Sequence, residues 1–172
     1  MPKIVSIYDL LYDDETDTLA TIDIAEQKIN AGNTFVAHHR YSTLGDEGKG
    51  EIYFKPPAST VKRIHMVASF SSELLSRYEI RESATVSVSG TALIAYNKDR
   101  DSAESSTCLI RHTPTLTASG IAIDGEDITL GRTARAKWKM KSGTVAIFRL
   151  ISEAASNSGV VRLEWSEHLD ET

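Results

Sequence analysis

Cysteine is almost absent from this chain: Cys108 is the single one in 172 residues. An internal disulfide is excluded, and with it the stapled scaffold of small secreted domains. Its neighbours Thr107, Leu109 and Ile110 predict a strand in which Cys108 is a small core residue rather than a reactive thiol. Aromatic residues make up only 7%, too few for a dedicated carbohydrate groove. No apolar run approaches the roughly 20 residues of a membrane span, and the N-terminus lacks the basic start and apolar core of a secretory signal. Synthesis in the cytoplasm of whatever cell makes it and no membrane partner are therefore expected. Positive charge is not in excess either. Residues 1–30 hold Asp9, Asp13, Asp14, Glu15, Asp17, Asp23 and Glu26 against Lys3 and Lys28, which is the whole net charge of -5. The remainder has 19 − 2 = 17 cations and 24 − 7 = 17 acids. A neutral body with an acidic leader argues against nucleic acid as a partner, because phosphate binding needs concentrated Lys and Arg.

What the chain does have is alternation. Across residues 83–165, short runs of alternating apolar and polar residues each end at Gly, Asn, Asp or Pro. Thr85-Val86-Ser87-Val88-Ser89 stops at Gly90, a run beginning at Thr91 stops at Asn97, and Val161, Leu163 and Trp165 alternate with Val160, Arg162 and Glu164. Upstream, Phe35, Ala37, His39 and Tyr41 oppose Val36, His38 and Arg40. Period two puts one side of each strand in a core and the other in water. About eight or nine strands and no long helix predict an all-β body, a β-sandwich of jelly-roll-like form, over residues 33–172. Trp138 shares parity with Ala136 and Met140, and Trp165 with Leu163, so both are expected as core anchors.

The connections carry further expectations. The loop at residues 45–50 is Gly-rich and expected to be flexible. Residues 71–78 are open between a helical turn and an outer strand. Asp124-Gly125 reads as a turn that closes a strand, and residues 136–140 and 144–151 as a pair around Lys141-Ser142-Gly143. Structural turn roles fall to Gly90, Asn97, Arg100, Pro114 and Gly120, with Asn97 in the left-handed region and Arg100 reaching a carbonyl or an acid. Residues 1–32 read as an acidic arm. Ile4, Val5, Ile7 and Tyr8 would add as a strand to another sheet, and the acidic stretch with Asp13 and Asp14 is open between a contact with a basic surface on another protein and a solvated acidic face.

Candidates for chemistry are weak. His38 and His39 point to opposite sides of a strand; His65 and His112 lack acids or cysteine at ligand spacing, so no metal site is assigned. No Gly-x-Ser-x-Gly elbow and no Gly-rich phosphate loop exist. Asp124 and Glu126 flank Gly125, and glycosidase chemistry would need both aimed into one cleft. The expectation is a protein that is not an enzyme and holds no cofactor.

Several segments resemble a group of small virion proteins of tailed bacteriophages. They are Gly90-Thr91-Ala92-Leu93 followed by Asn97-Lys98-Asp99-Arg100; Ile110-Arg111-His112-Thr113-Pro114-Thr115 with Gly120; Val160-Val161-Arg162-Leu163-Glu164-Trp165; and His39-Arg40 followed by Ile52-Tyr53-Phe54-Lys55-Pro56-Pro57. The likeness covers about residues 33–166 and leaves the arm outside. Residues 132–140 are more basic than the group's pattern, and Phe148 replaces its Tyr. The resemblance implies a non-enzymatic structural protein of the virion. Its most favoured form is a homotrimeric capsid decoration or cement protein that binds the major capsid protein on the capsid surface. The alternative is a tail- or fibre-associated receptor-binding module using loops 45–50 and 99–106.

Overall fold

A computed structural model describes residues 32–58 and 62–169, together with the backbone of two short paired strands, β1 (Tyr12–Asp13) and β2 (Thr18–Leu19). The body is one folded ribbon. Its first arm is β3 (Thr34–Leu44), β4 (Lys49–Lys55), β5 (Lys62–Ser72) and β6 (Ser76–Glu82). Its second is β12 (Ile121–Ile128), β13 (Thr133–Met140), β14 (Ala146–Ser152) and β15 (Asn157–Leu169). The arms pair antiparallel as β3·β15, β4·β14, β5·β13 and β6·β12. The ribbon then curls on itself through β14·β6 and β15·β5, which is the jelly-roll arrangement of two packed sheets.

An insert between β6 and β12 supplies five short strands: β7 (Thr85–Val88), β8 (Thr91–Ala92), β9 (Tyr96–Asn97), β10 (Leu109–His112) and β11 (Thr115–Ala118). β7 and β11 pair as a two-stranded ribbon, while β10 and β8 extend one sheet and β9 the other. The resulting orders are β12-β6-β14-β4-β10-β8 and β13-β5-β15-β3-β9.

Alternation explains the core. Val161, Leu163 and Trp165 on β15 meet Phe35 and Ala37 on β3 and Phe54 and Phe148 from the facing sheet, all buried. Trp165 sits 5.4 Å from the Phe54 ring at 76° and 5.9 Å from Phe35. Strand β14 is buried at all seven positions. Its Ala146, Phe148 and Leu150 enter the core, whereas Ile147 on the reverse side joins Tyr53, Ala84, Val86 and Leu116 beneath the β7·β11 ribbon.

The structure corrects several local expectations. Residues 121–128 form one strand, with a register shift between Ala122 and Asp124 where a turn was expected. β13 and β14 belong to different sheets, so Lys141-Ser142-Gly143 is a crossing between layers rather than a hairpin. The run expected from Thr91 breaks into β8 and β9 because the chain passes between sheets there, packing Leu93 and Ala95 against the core. Residues 71–78 contain the end of β5 and the start of β6, an interior strand. The 45–50 loop is a tight turn closed by Gly48 N–H to the Gly45 carbonyl and Glu47 N–H to the Ser152 carbonyl, and Lys49 and Gly50 already belong to β4. Cys108 precedes its strand and is half-buried. Asn97 lies in β9 and outside the left-handed region. It acts through its side chain, donating to the Gly32 and Glu104 carbonyls and accepting from Asp99 N–H. Arg100 covers the Tyr96 ring at 5.7 Å instead of reaching an acid.

Candidate functional site

Ionisable groups gather in three kinds of place: buried structural clusters, the edges of the sandwich, and one sheet face. The buried clusters are fully occupied by the protein itself. Glu167, at the far end of β15, accepts from Ser106 Oγ at 2.6 Å, from Thr107 N–H and Thr107 Oγ1, and from Trp165 Nε1 at 3.2 Å. Burial alone would raise its carboxyl, but those donors outweigh it and hold the group below the ordinary carboxylate range. Burial first, and then Glu167, push the Cys108 thiol up, so the thiolate needed by a nucleophile is absent at neutral pH.

On the outer side of β14, Arg149 Nε meets Glu51 at 2.6 Å and Arg149 Nη1 meets Glu79 at 3.1 Å, with Arg81 also on Glu79 at 2.9 Å. Burial opposes ionisation of Glu79, and the two guanidiniums overcome it and lower the carboxyl. Asp124 receives Trp138 Nε1 at 3.0 Å and Tyr78 Oη at 3.4 Å across the open side of the sandwich. Burial and then Asp124 and Glu126 raise Tyr78 to about 12. Asp124 is thus a brace between β12 and β13, and Glu126 stands exposed.

The histidines pair in ways the sequence did not indicate. His39 and His112 stack with centroids 3.8 Å apart, and His65 lies 4.8 Å from His168. Burial, then His112 and His38, lower His39. Among the described residues no three His, Cys, Asp or Glu side chains converge as metal ligands would.

The sheet face is different. On the outer side of β13-β5-β15-β3, register aligns Arg135, Ser69, Arg162 and His38 in one row and Lys137, Val67, Glu164 and Val36 in the next. A third row holds Lys139, His65, Ser166 and Thr34. Two adjoining grooves of about 370 and 500 Å³ meet at Val67 and Glu164. Glu164 is bridged by Lys98 at 2.8 Å and Arg162 at 3.3 Å. Arg135, Lys137 and Lys139 are exposed and have no carboxylate partner among the described residues. Cations ring a shallow floor of Ser and Val, an arrangement whose field favours negative charge.

Of the residues expected to bind a partner, Asp13 falls in β1 opposite Thr18; Ile4, Val5, Ile7, Tyr8 and Asp14 lie outside the described residues. Of the expected turn residues, Gly90 (φ +91) and Gly120 (φ +70) take conformations that suit glycine, each against a backbone carbonyl 2.1 Å from where a Cβ would stand. Pro114 follows Thr113, whose φ is 54. Of the expected loops, 45–50 is held by Arg77 bridging Glu47 and Glu153 at 2.8 Å each, and 99–106 is held at its start by the Asn97 and Asp99 side chains and at its end by Ser106 on Glu167. The basic face was missed, although the alternation of Arg135, Lys137 and Lys139 with Ala136, Trp138 and Met140 was a visible signal. Neither the known family models nor the curated proteins include a match to this chain.

Proposed function

We propose that this protein is a structural component of a tailed-phage particle, a decoration or cement protein on the outside of the head that stabilises capsomer contacts. The observation that supports this reading is where the phage-like segments fall. Leu109–His112 pairs along Ile52, Tyr53, Phe54 and Lys55, Thr91–Ala92 pairs with Arg111 and His112, and Tyr96–Asn97 pairs with Phe35 and Val36. Motifs scattered over the sequence thereby come together at one edge of the sandwich, where β10 and β8 end one sheet and β9 ends the other, with Val160 to Trp165 in the interior strand beside β3. That edge also displays Ile94 (67% exposed), Tyr96 and Leu109, apolar side chains suited to burial against another protein.

In this reading the 1–32 arm extends contact to a neighbouring subunit, and symmetry multiplies each weak contact. The test adds purified protein to heads that lack it and counts bound copies by quantitative mass spectrometry. Hundreds per particle on heads, lost when residues 1–30 are removed, are expected. A handful of copies confined to tails, or full head occupancy without the arm, would overturn it.

A further inference from the structure

We infer that the basic outer face of β13-β5-β15-β3 is the dock for this chain's own acidic N-terminal arm. The face carries Arg135, Lys137 and Lys139 on its edge strand and Arg162, Arg40 and Lys98 on the opposite side. The acids among them are Glu164, already shared by Lys98 and Arg162, and Glu73, paired with Arg40. Cations on an edge strand alone would be accounted for as protection against strand-to-strand aggregation. Arg162 and Arg40 lie on β15 and β3, away from that edge, and edge protection gives no reason for them.

The chain's own charge distribution names the occupant. The body is neutral overall, so its other acids lie away from this face, and the net -5 of the chain is carried by residues 1–30, the one strongly acidic segment available to it. The arm also starts in the right place. Gly32 turns with φ +68, its carbonyl held by Asn97 Nδ2 at 2.7 Å, and Thr34 is already part of the groove lining. Thr34 is 7% exposed and its Oγ1 has no hydrogen-bond partner among the described residues, which leaves a donor at the groove end for an incoming carbonyl or carboxylate. From Asp17 to Gly32 the chain reaches up to about 50 Å, longer than the roughly 36 Å spanned by the 11 residues of β5. Tethering at such range provides an effective concentration in the millimolar region, enough to make weak ion pairs count. The inference does not rest on the head reading, because docking is a property of the isolated chain. A particle that takes the arm would have to compete for it.

The test uses the full-length protein. Zero-length carbodiimide coupling at low salt should join Asp13, Asp14, Glu15 or Asp17 to Lys137 or Lys139 in the monomer band, and about 0.5 M salt should abolish the product. In the Arg135→Glu/Lys137→Glu/Lys139→Glu variant, protease cleavage within residues 1–30 should be about tenfold faster, the loss of three exposed ion pairs. A second variant, Asp13→Lys/Asp14→Lys/Glu15→Lys/Asp17→Lys, combined with the first should restore slow cleavage, which a merely misfolded body would not do. Absence of arm-to-face coupling together with unchanged cleavage overturns the inference. Coupling found only in a dimer or trimer band overturns it in favour of a second copy's arm.

Discussion

Replacing Arg149 with Met isolates the worth of the buried ion pair on the outer side of β14. The Arg149 side chain is 6% exposed, and those of Glu51 and Glu79 are 12% and 25% exposed. Met keeps most of the aliphatic stem, so packing is nearly preserved and charge is what changes. Three contacts vanish: Nε to Glu51, Nη1 to Glu79, and Nη2 to Ser119 Oγ at 3.4 Å. Glu79 retains Arg81, but Glu51 keeps no cation among those named. An unpaired buried carboxylate costs about 1–3 kcal/mol. Glu51 and Glu79 both register with Arg149 from opposite sides, two strand spacings or roughly 10 Å apart. Their mutual repulsion, about 1.7 kcal/mol at an effective dielectric near 20, is offset in the wild-type protein by the guanidinium between them and is left uncompensated in the variant. Together these give about 3–5 kcal/mol, the range for breaking a buried pair from one side, and a fall in Tm of about 6–20 °C. Urea denaturation at pH 7 measures it. The Glu51→Gln/Arg149→Met double variant should recover about 1–2 kcal/mol, since the stranded charge is gone. If Arg149→Met lies within about 1 kcal/mol of wild type, or the double variant recovers nothing, the reasoning fails.

Three further outcomes are expected. Glu167→Gln should cost about 2–4 kcal/mol at pH 7. Because the folded carboxyl lies below its unfolded value, that stability is present above pH about 4.5 and is lost as pH falls through the folded pKa, so urea curves of the two proteins should draw together as the pH is lowered below about 4.5. His39 has the opposite chemistry: the folded state favours the neutral ring, so the unfolded chain binds more protons as pH drops below about 6.5 and stability declines until the folded pKa is passed. His39→Phe should flatten that acid limb just below about pH 6.5 in thermal melts; an unchanged slope would show that the stacked imidazoles do not control it. Gly90→Ala should destabilise by about 2 kcal/mol or more, from a left-handed backbone and a carbonyl in the path of the new Cβ. Soluble protein of wild-type Tm would show that this turn can relax.

The strands were legible wherever one face is wet. Phe35 and Ala37 against His38 and Arg40, or Val161 and Leu163 against Arg162 and Glu164, show their period directly. The layer each strand joins was not legible. Lys141-Ser142-Gly143 has the composition of a hairpin turn, yet β13 pairs with β5 over eight positions and β14 with both β4 and β6. Those long-range ladders outweigh a local turn preference. Asp124-Gly125 misleads in the same manner. The pair usually marks a turn, but here Gly125 lies near the Tyr78 carbonyl inside β12, and Asp124 turns inward to meet Trp138. A bulge and a turn draw on the same residue types, because both need a backbone that departs from the regular pleat.

The basic face was hidden for a related reason. Along the sequence, Arg40, Lys98, the 135–139 cluster and Arg162 are separated by 23 residues or more. Their sum emerges only once β3, β15, β5 and β13 are laid side by side, which depends on register. A one-residue slip of β15 would have sent Arg162 into the core and Val161 to the surface. The hydrophobic register that buries Trp165 and Leu163 is therefore the same constraint that gathers the cations. The charge on this face could not be lost by drift in strand pairing without also exposing the largest buried side chain. Substituting the cations themselves leaves the core untouched, so the face can be altered while the fold is kept, and stability and arm docking should respond to separate sets of mutations.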